Sequence, residues 1–296
     1  MEPDGRLEFD ADYDPAVAVR LQQLGSRDPT LALEGRGFWR SANTPEGPVC
    51  VRVRSNGFKI TAESWGEGTA WALDRLPGVC GALDTPWSDT VQPEWLNALV
   101  QQHSKLRLGR ALRLPDLLWC VILQQRVRGA QAWDNWTKLV HRVSEPAPGP
   151  SELWLPPTGK ALRSLRLSEY ASLGIDAKRA GTLRECALHV AKLDRAAAGS
   201  LDDAREFLPK LRGIGPWTTG LLLACGFGDP DAVQVGDYHL PNEVAYAFTR
   251  RRRATDEEML ALLEPYRGNR HRVVRLIHAF GPRRPRGGPR LTPTAP

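Results

Sequence analysis

The feature that most constrains this chain is a change of hydrophobic period near Pro93. Before it, Val49, Val51 and Val53 alternate with polar or small residues, and Phe58, Ile60 and Ala62 repeat the pattern after Asn56-Gly57. Asn-Gly between two alternating runs predicts a β-hairpin over residues 48–65, with positive φ at both central residues of its turn. The glycines at 66 and 68 then end the sheet, and a short helix is expected over residues 70–76. After Pro93 the spacing becomes three and four. Leu117, Leu118, Val121 and Ile122 share one helical face, Trp133, Trp136, Val140 and Val143 a second, and Ala180, Leu183, Ala187 and Val190 a third. The expected fold class is therefore α+β: an α+β domain with an antiparallel sheet over residues 1–90, then an all-α domain over 91–283. The Pro-rich stretch 146–157 reads as a connector inside the helical half. Residues 284–296, rich in Pro, Gly and Arg, are expected to form a disordered basic tail.

Composition narrows the classes further. Of 296 residues, 42% are hydrophobic and 25% charged, enough for a substantial core. No apolar run approaches the ~20 residues that span a bilayer, and the acidic, polar start of the chain resembles neither a signal nor a transit peptide. A cytoplasmic protein, associated with the nucleoid if bacterial, is expected, with the monomer as default. Cys50, Cys80, Cys120, Cys186 and Cys225 stand singly, without a C-x-x-C pair. That argues against a disulfide framework, a zinc site and an iron–sulfur cluster, so neither metal nor cofactor is expected. The net charge of +6 suits a polyanionic partner but carries little weight alone.

The chemistry lies between residues 208 and 242. Ser200 is placed to cap a helix through Ala204, Phe207, Leu208 and Leu211, with Asp202 and Asp203 near its positive end. Gly213-Ile214-Gly215-Pro216-Trp217-Thr218 follows. The glycines permit a tight turn with approachable backbone N–H groups, and Pro216 suits the first position of the next helix. Such a hairpin between helices can hold phosphate without reading sequence; a plain αα-hairpin is the other reading of Gly-x-Gly-Pro alone. Gly228-Asp229-Pro230, an extended Val233-Gln234-Val235 and then Gly236-Asp237-Tyr238-His239-Leu240 complete the window.

In Leu211, Gly213, Ile214, Gly215, Pro216, Trp217, Thr218 and Asp237 the chain resembles the helix-hairpin-helix base-excision DNA glycosylases, nearest in look to the bacterial 3-methyladenine type. Ile122-Leu123-Gln124-Gln125-Arg126-Val127 is similar to a helix of that family. The resemblance implies double-stranded DNA carrying a damaged base as partner, and a nucleotide extruded from the duplex. Asp237 is the implied catalytic carboxylate, opposing the positive charge that develops on the sugar. Trp217 stands where bifunctional members carry a lysine, and a tryptophan cannot form a Schiff base, so a monofunctional hydrolase is implied. Trp217, Leu221, Tyr238 and Phe280 are the implied base pocket, though Leu221 replaces an aromatic and core packing is the alternative for Phe280. Gln125, Arg126, Arg212, Gly213, Ile214, Gly215 and Thr218 are the implied DNA contacts. Arg126 holds the position of the side chain that fills the vacated stack, where the best-known alkylbase member has a leucine, and Arg212 replaces a common proline. Arg250–Arg253 reads as solvated charge. Two alternatives stay open: a non-catalytic DNA-binding protein, which needs the hairpin and not Asp237, and a glycosylase for another lesion class. A structural protein built on its tryptophans is disfavoured by the core spacing of Trp133 and Trp136.

Overall fold

A computed structural model describes residues 1–284; all of the tail beyond Arg284 lies outside the described residues. Five strands form one antiparallel sheet in the order β1-β5-β4-β3-β2: β1 (Gly5–Asp10), β2 (Leu31–Leu33), β3 (Gly37–Thr44), β4 (Gly47–Ser55) and β5 (Lys59–Trp65). Val49, Val51, Val53, Ile60 and Ala62 point into one core, with Phe38, Leu31 and helix α2 (Thr69–Val79) packed against them. Helix α1 (Pro15–Val19) joins the same layer. The chain is thus α+β, as its two periods require.

The β4–β5 turn departs from expectation. Gly57 has φ +94°, but Asn56 keeps negative φ. Instead the Asn56 side chain accepts from the N–H groups of Phe58 and Lys59 at 2.9 and 2.8 Å, an Asx turn that replaces the two-residue connection. Phe58 falls in this turn and is 79% exposed, so it is not part of the alternating core face.

The helices build two further cores. The first unites α4 (Leu114–Leu123), α5 (Gly129–Val143), α6 (Gly159–Ser164), α7 (Leu167–Ser172), α8 (Ala177–Cys186), α9 (Val190–Ala198), α10 (Leu201–Phe207) and α11 (Pro216–Phe227). The second unites α3 (Glu94–Gln102), α12 (Leu240–Thr249), α13 (Asp256–Leu263) and α14 (Arg270–Phe280). All ten residues of α4 are buried, so its apolar face has no polar opposite: it is the central element around which the others pack. The third expected helix stops at Cys186, and Val190 opens α9 after a 3₁₀ turn. Trp133 is 46% exposed although its spacing predicts core; Trp136 alone of the pair is buried. All five cysteines are buried and free. The connector at 146–157 docks on the sheet: Trp154 N–H donates to the Pro29 carbonyl at 2.7 Å, and Ser41 donates to the Trp154 carbonyl at 2.6 Å.

In the second helical core, burial, with Arg275 and Arg272 adding their charge, pushes His271 down to about 3. Folded His271 therefore stays neutral at pH values where an unfolded histidine, with a pKa near 6.5, takes up a proton. The stability this neutral form holds is complete above pH 6.5 and is lost as pH falls towards 3. Between pH 7 and 5 the loss is about 2 kcal/mol. In urea titrations His271→Leu should lose about 2 kcal/mol less than the wild type over that interval; equal losses would show that His271 is not the group responsible.

Candidate active site

The hairpin expected from Gly213-Ile-Gly-Pro forms between α10 with its 3₁₀ extension (Leu208–Lys210) and α11. Ser200 caps α10 in a reciprocal arrangement with Asp203, and Pro216 opens α11. Gly213 has φ +87°, and a Cβ there would stand 2.4 Å from Thr182 Oγ1, so only glycine fits. A Cβ on Gly215 would meet open space. The backbone N–H groups of Gly213, Gly215, Trp217 and Thr218 donate to no acceptor among the described residues, while Ile214 N–H closes the turn on the Leu211 carbonyl at 3.0 Å. Four unspent donors at an uncapped helix N-terminus favour an anion by both hydrogen bonding and the helix dipole.

Gln125 ties this hairpin to the turn after α4. Its amide donates to the Gly213 carbonyl at 3.0 Å and to Thr218 Oγ1 at 2.9 Å. The neighbouring Arg126 is exposed and adopts φ +56°, a left-handed conformation that non-glycine residues rarely take. Strain of this kind, of order 1 kcal/mol or more, persists where surrounding structure imposes it. The turn before Arg126 is held by Gln125 on one side and, on the other, by the buried Arg179, whose guanidinium donates to the Leu123 carbonyl at 2.8 Å.

Asp237 lies where the chain crosses from the first helical core to the second, and it is half-buried. Its Oδ1 accepts from His239 N–H at 2.7 Å and Leu240 N–H at 2.9 Å, capping α12. Its Oδ2 accepts from the Trp217 indole N–H at 2.8 Å. No cation pairs with it among the described residues. A carboxylate offers about four lone-pair positions; three are used, and the free one is on Oδ2. Capping and chemistry are thus compatible in one side chain, since different oxygens serve them.

Three contacts fix this geometry that the sequence alone did not disclose. Gly220 lets the stretch before Asp237 lie against α11: a Cβ there would stand 2.4 Å from the Val233 carbonyl oxygen. Gln234 is buried and reaches the Gly220 carbonyl at 3.4 Å. Gly236, at φ +88°, donates its N–H to Asp256 Oδ2 at 3.0 Å. Glycine at 220 and 236 was visible in the sequence, but what approaches each was not.

The other implied pocket residues are placed unevenly. Leu221, one turn beyond Trp217, packs partly into the first helical core. Tyr238 is 84% exposed, edge-on to His239. Phe280 is half-exposed and stacks on His103, ring centroids 3.6 Å apart, and no contact joins it to Asp237; it is neither core nor a demonstrated pocket wall. Its helix is held to α12 by His278 and Glu243 at 3.1 Å, a hydrogen bond that raises the His278 pKa. Arg212 is exposed with no partner among the described residues. Arg251 of the four-arginine run pairs with Glu258, and Arg250 lies over the Tyr246 ring.

A cavity of about 530 Å³ lies between Asp84, Trp87, Arg110, Phe227, Asp229 and Arg272, and Asp237 does not line it. No group of His, Cys, Asp and Glu suited to hold a metal occurs among the described residues.

Comparison with known proteins follows the same lines. No family model matches the chain. In sequence it is 25% identical over 178 residues to a putative DNA-3-methyladenine glycosylase of Bacillus subtilis (strain 168), a match covering 58% of this chain and 61% of that relative's length. The 3-methyladenine DNA glycosylase of Archaeoglobus fulgidus superposes with a TM-score of 0.76 at 18% identity, over 92% of this chain and 97% of that one. The 8-oxoguanine glycosylase/lyase of Clostridium acetobutylicum superposes with a TM-score of 0.67 at 12% identity, over 94% and 99%. The chain accordingly has the fold of the helix-hairpin-helix DNA glycosylases, and its sequence is similar to that of a 3-methyladenine-type glycosylase.

Proposed function

We propose that this protein is a monofunctional DNA glycosylase of base excision repair that removes alkylated bases of the 3-methyladenine type. The observation that carries the reading is the pairing of a hairpin with four unspent backbone donors and a carboxylate, Asp237, held by three N–H groups with one lone pair free. The hairpin grips the backbone of duplex DNA, Arg126 enters the stack in place of the extruded nucleotide, and Asp237 Oδ2 meets the sugar. As the C1′–N bond breaks, its electron pair leaves with the base and positive charge grows on the sugar; a fixed carboxylate lowers that barrier. Water then bonds to C1′, and its proton passes through Oδ2 to solvent. A cationic alkylpurine leaves as a neutral base, which favours this class of lesion. Trp217, which donates to the carboxylate, offers an indole face that attracts cationic purines, and Tyr238, next in the chain to Asp237, and Leu221, one turn beyond Trp217, offer phenol and apolar surfaces.

Division of the chain at about residue 90, with catalysis carried by the helical part, belongs to the same proposal. Incubation with duplexes that carry single defined lesions tests it. Free alkylated base should appear, with strand breakage only after alkali; release of oxidised purines instead would move the enzyme to another lesion class.

Tryptophan at 217 adds an expected result. Lys210, the nearest lysine in sequence, is exposed and paired with Glu206 at 2.6 Å. Borohydride should therefore trap no covalent enzyme–DNA adduct, and a trapped adduct would show a Schiff-base enzyme.

A further inference from the structure

Contacts trace one continuous line across the surface from the hairpin to the sheet-bearing N-terminal part. It begins at Arg212, beside Gly213, whose carbonyl accepts from Gln125. Gln125 is followed by Arg126, then Arg128 and the start of α5 at Gly129. Gly129 lies under the Trp133 ring: a Cβ there would be 3.6 Å from its Cε2 and Cζ2. Trp133 also lies against Gly25, at φ +88°, where a Cβ would stand 2.9 Å from the indole Cγ and Cδ2. Arg27 follows two residues later. Two glycines thus let one indole bridge the turn after α4 and the loop before β2.

Arg212, Arg126, Arg128 and Arg27 are all exposed, and none has a carboxylate or carbonyl partner among the described residues. Trp133 is 46% exposed, and its N–H has no acceptor there. The two acids nearest in sequence are spoken for. Asp134 pairs with Lys138 at 2.7 Å, and buried Asp28 accepts from Leu24, Thr30 and the Trp136 indole. Unpaired arginines occur elsewhere on this surface, as at Arg6. What sets these four apart is their continuity with the hairpin, around an aromatic that its helical spacing assigns to a core.

We infer that the DNA interface extends beyond the hairpin along this line, so that Arg128, Trp133 and Arg27 take the phosphodiester backbone of the same duplex. The inference rests on the proposed DNA-binding role of the hairpin. Each guanidinium neutralises a phosphate, while the indole lends its apolar face to a sugar and its N–H to a phosphate oxygen. The N-terminal part would then be a DNA-holding unit rather than a passive appendage.

The salt dependence of binding reads this directly. Log affinity falls linearly with log salt concentration, by about 0.9 for every phosphate neutralised. Fluorescence anisotropy on a duplex with a tetrahydrofuran abasic site, across a range of potassium chloride concentrations, would compare the wild type with Arg27→Ala, Arg128→Ala, Arg212→Ala and Trp133→Ala. Arg6→Ala, on the opposite edge of the sheet from β2, is the control. Arg27→Ala and Arg128→Ala should each flatten the slope by about 0.9, as Arg212→Ala does. Trp133→Ala should weaken binding several-fold at unchanged slope, and Arg6→Ala should change nothing. If Arg212→Ala flattens the slope and Arg27→Ala and Arg128→Ala do not, the inference is wrong and the hairpin reading stands. If the wild type shows no measurable affinity for the duplex at any salt concentration, the hairpin reading fails and takes this inference with it. Arg27 is exposed and unpaired, so its substitution tests the point even if Trp133→Ala fails to fold.

Discussion

Asp237→Asn should abolish most base excision while leaving affinity for abasic duplex close to that of the wild type. The expected fall is at least about 100- to 1,000-fold in the single-turnover rate, the scale of losing one preorganised electrostatic contact to a transition state. The amide is nearly isosteric, and its oxygen can still cap α12 by accepting from His239 and Leu240. Its NH₂ group then faces the Trp217 N–H where Oδ2 stood, 2.8 Å away. Two donors cannot share that contact, so the variant also loses about 1 kcal/mol of stability. Parallel loss of binding and excision would point to a structural role for Asp237; unchanged excision would remove it from the chemistry.

The second large effect is on stability. Arg179 is 3% exposed and makes four hydrogen bonds: to Asp176 at 2.6 Å, the Leu123 carbonyl at 2.8 Å, Asn135 at 3.0 Å and the Gly174 carbonyl at 3.2 Å. It thereby joins α4, α5 and α8 just beneath the turn that carries Arg126. Arg179→Ala leaves buried acceptors without donors and a cavity the size of a long side chain. The expected loss is about 3–5 kcal/mol in urea unfolding. Because the Leu123 carbonyl ends the helix that leads into Gln125 and Arg126, the folded variant should also excise more slowly. A loss below about 1 kcal/mol would mean the network is not holding this region.

Sequence patterning captured what depends on near neighbours. The alternation at Val49–Val53, the cap at Ser200 and the Pro216 helix start are local, and each appears in the structure. The hairpin and Asp237 were legible because the glycines and the carboxylate lie about twenty residues apart on one continuous stretch. Errors arose where the partner that a side chain finds decides, whether near or far in the sequence. Asn56 was assigned positive φ, but its side chain made a different turn available. Trp133 was assigned to the core on spacing alone, and only Gly25, over a hundred residues earlier, explains why its ring lies flat on the surface. Arg179 gave no signal because a lone arginine on a helix reads as solvated charge until its four partners are seen. Asp256, in the first turn of α13, carries no local sign that it holds Gly236 on a separate loop.

In the proposed reaction Asp237 opposes positive charge at the anomeric carbon. The most direct measurement compares binding of two duplexes, one holding a neutral tetrahydrofuran and the other a cationic pyrrolidine in place of the damaged nucleotide's sugar. A site complementary to the charged transition state should bind the cationic duplex at least about 100-fold more tightly, and Asp237→Asn should erase that preference. Equal affinity of the wild type for both duplexes, or a preference that survives in Asp237→Asn, would contradict the account.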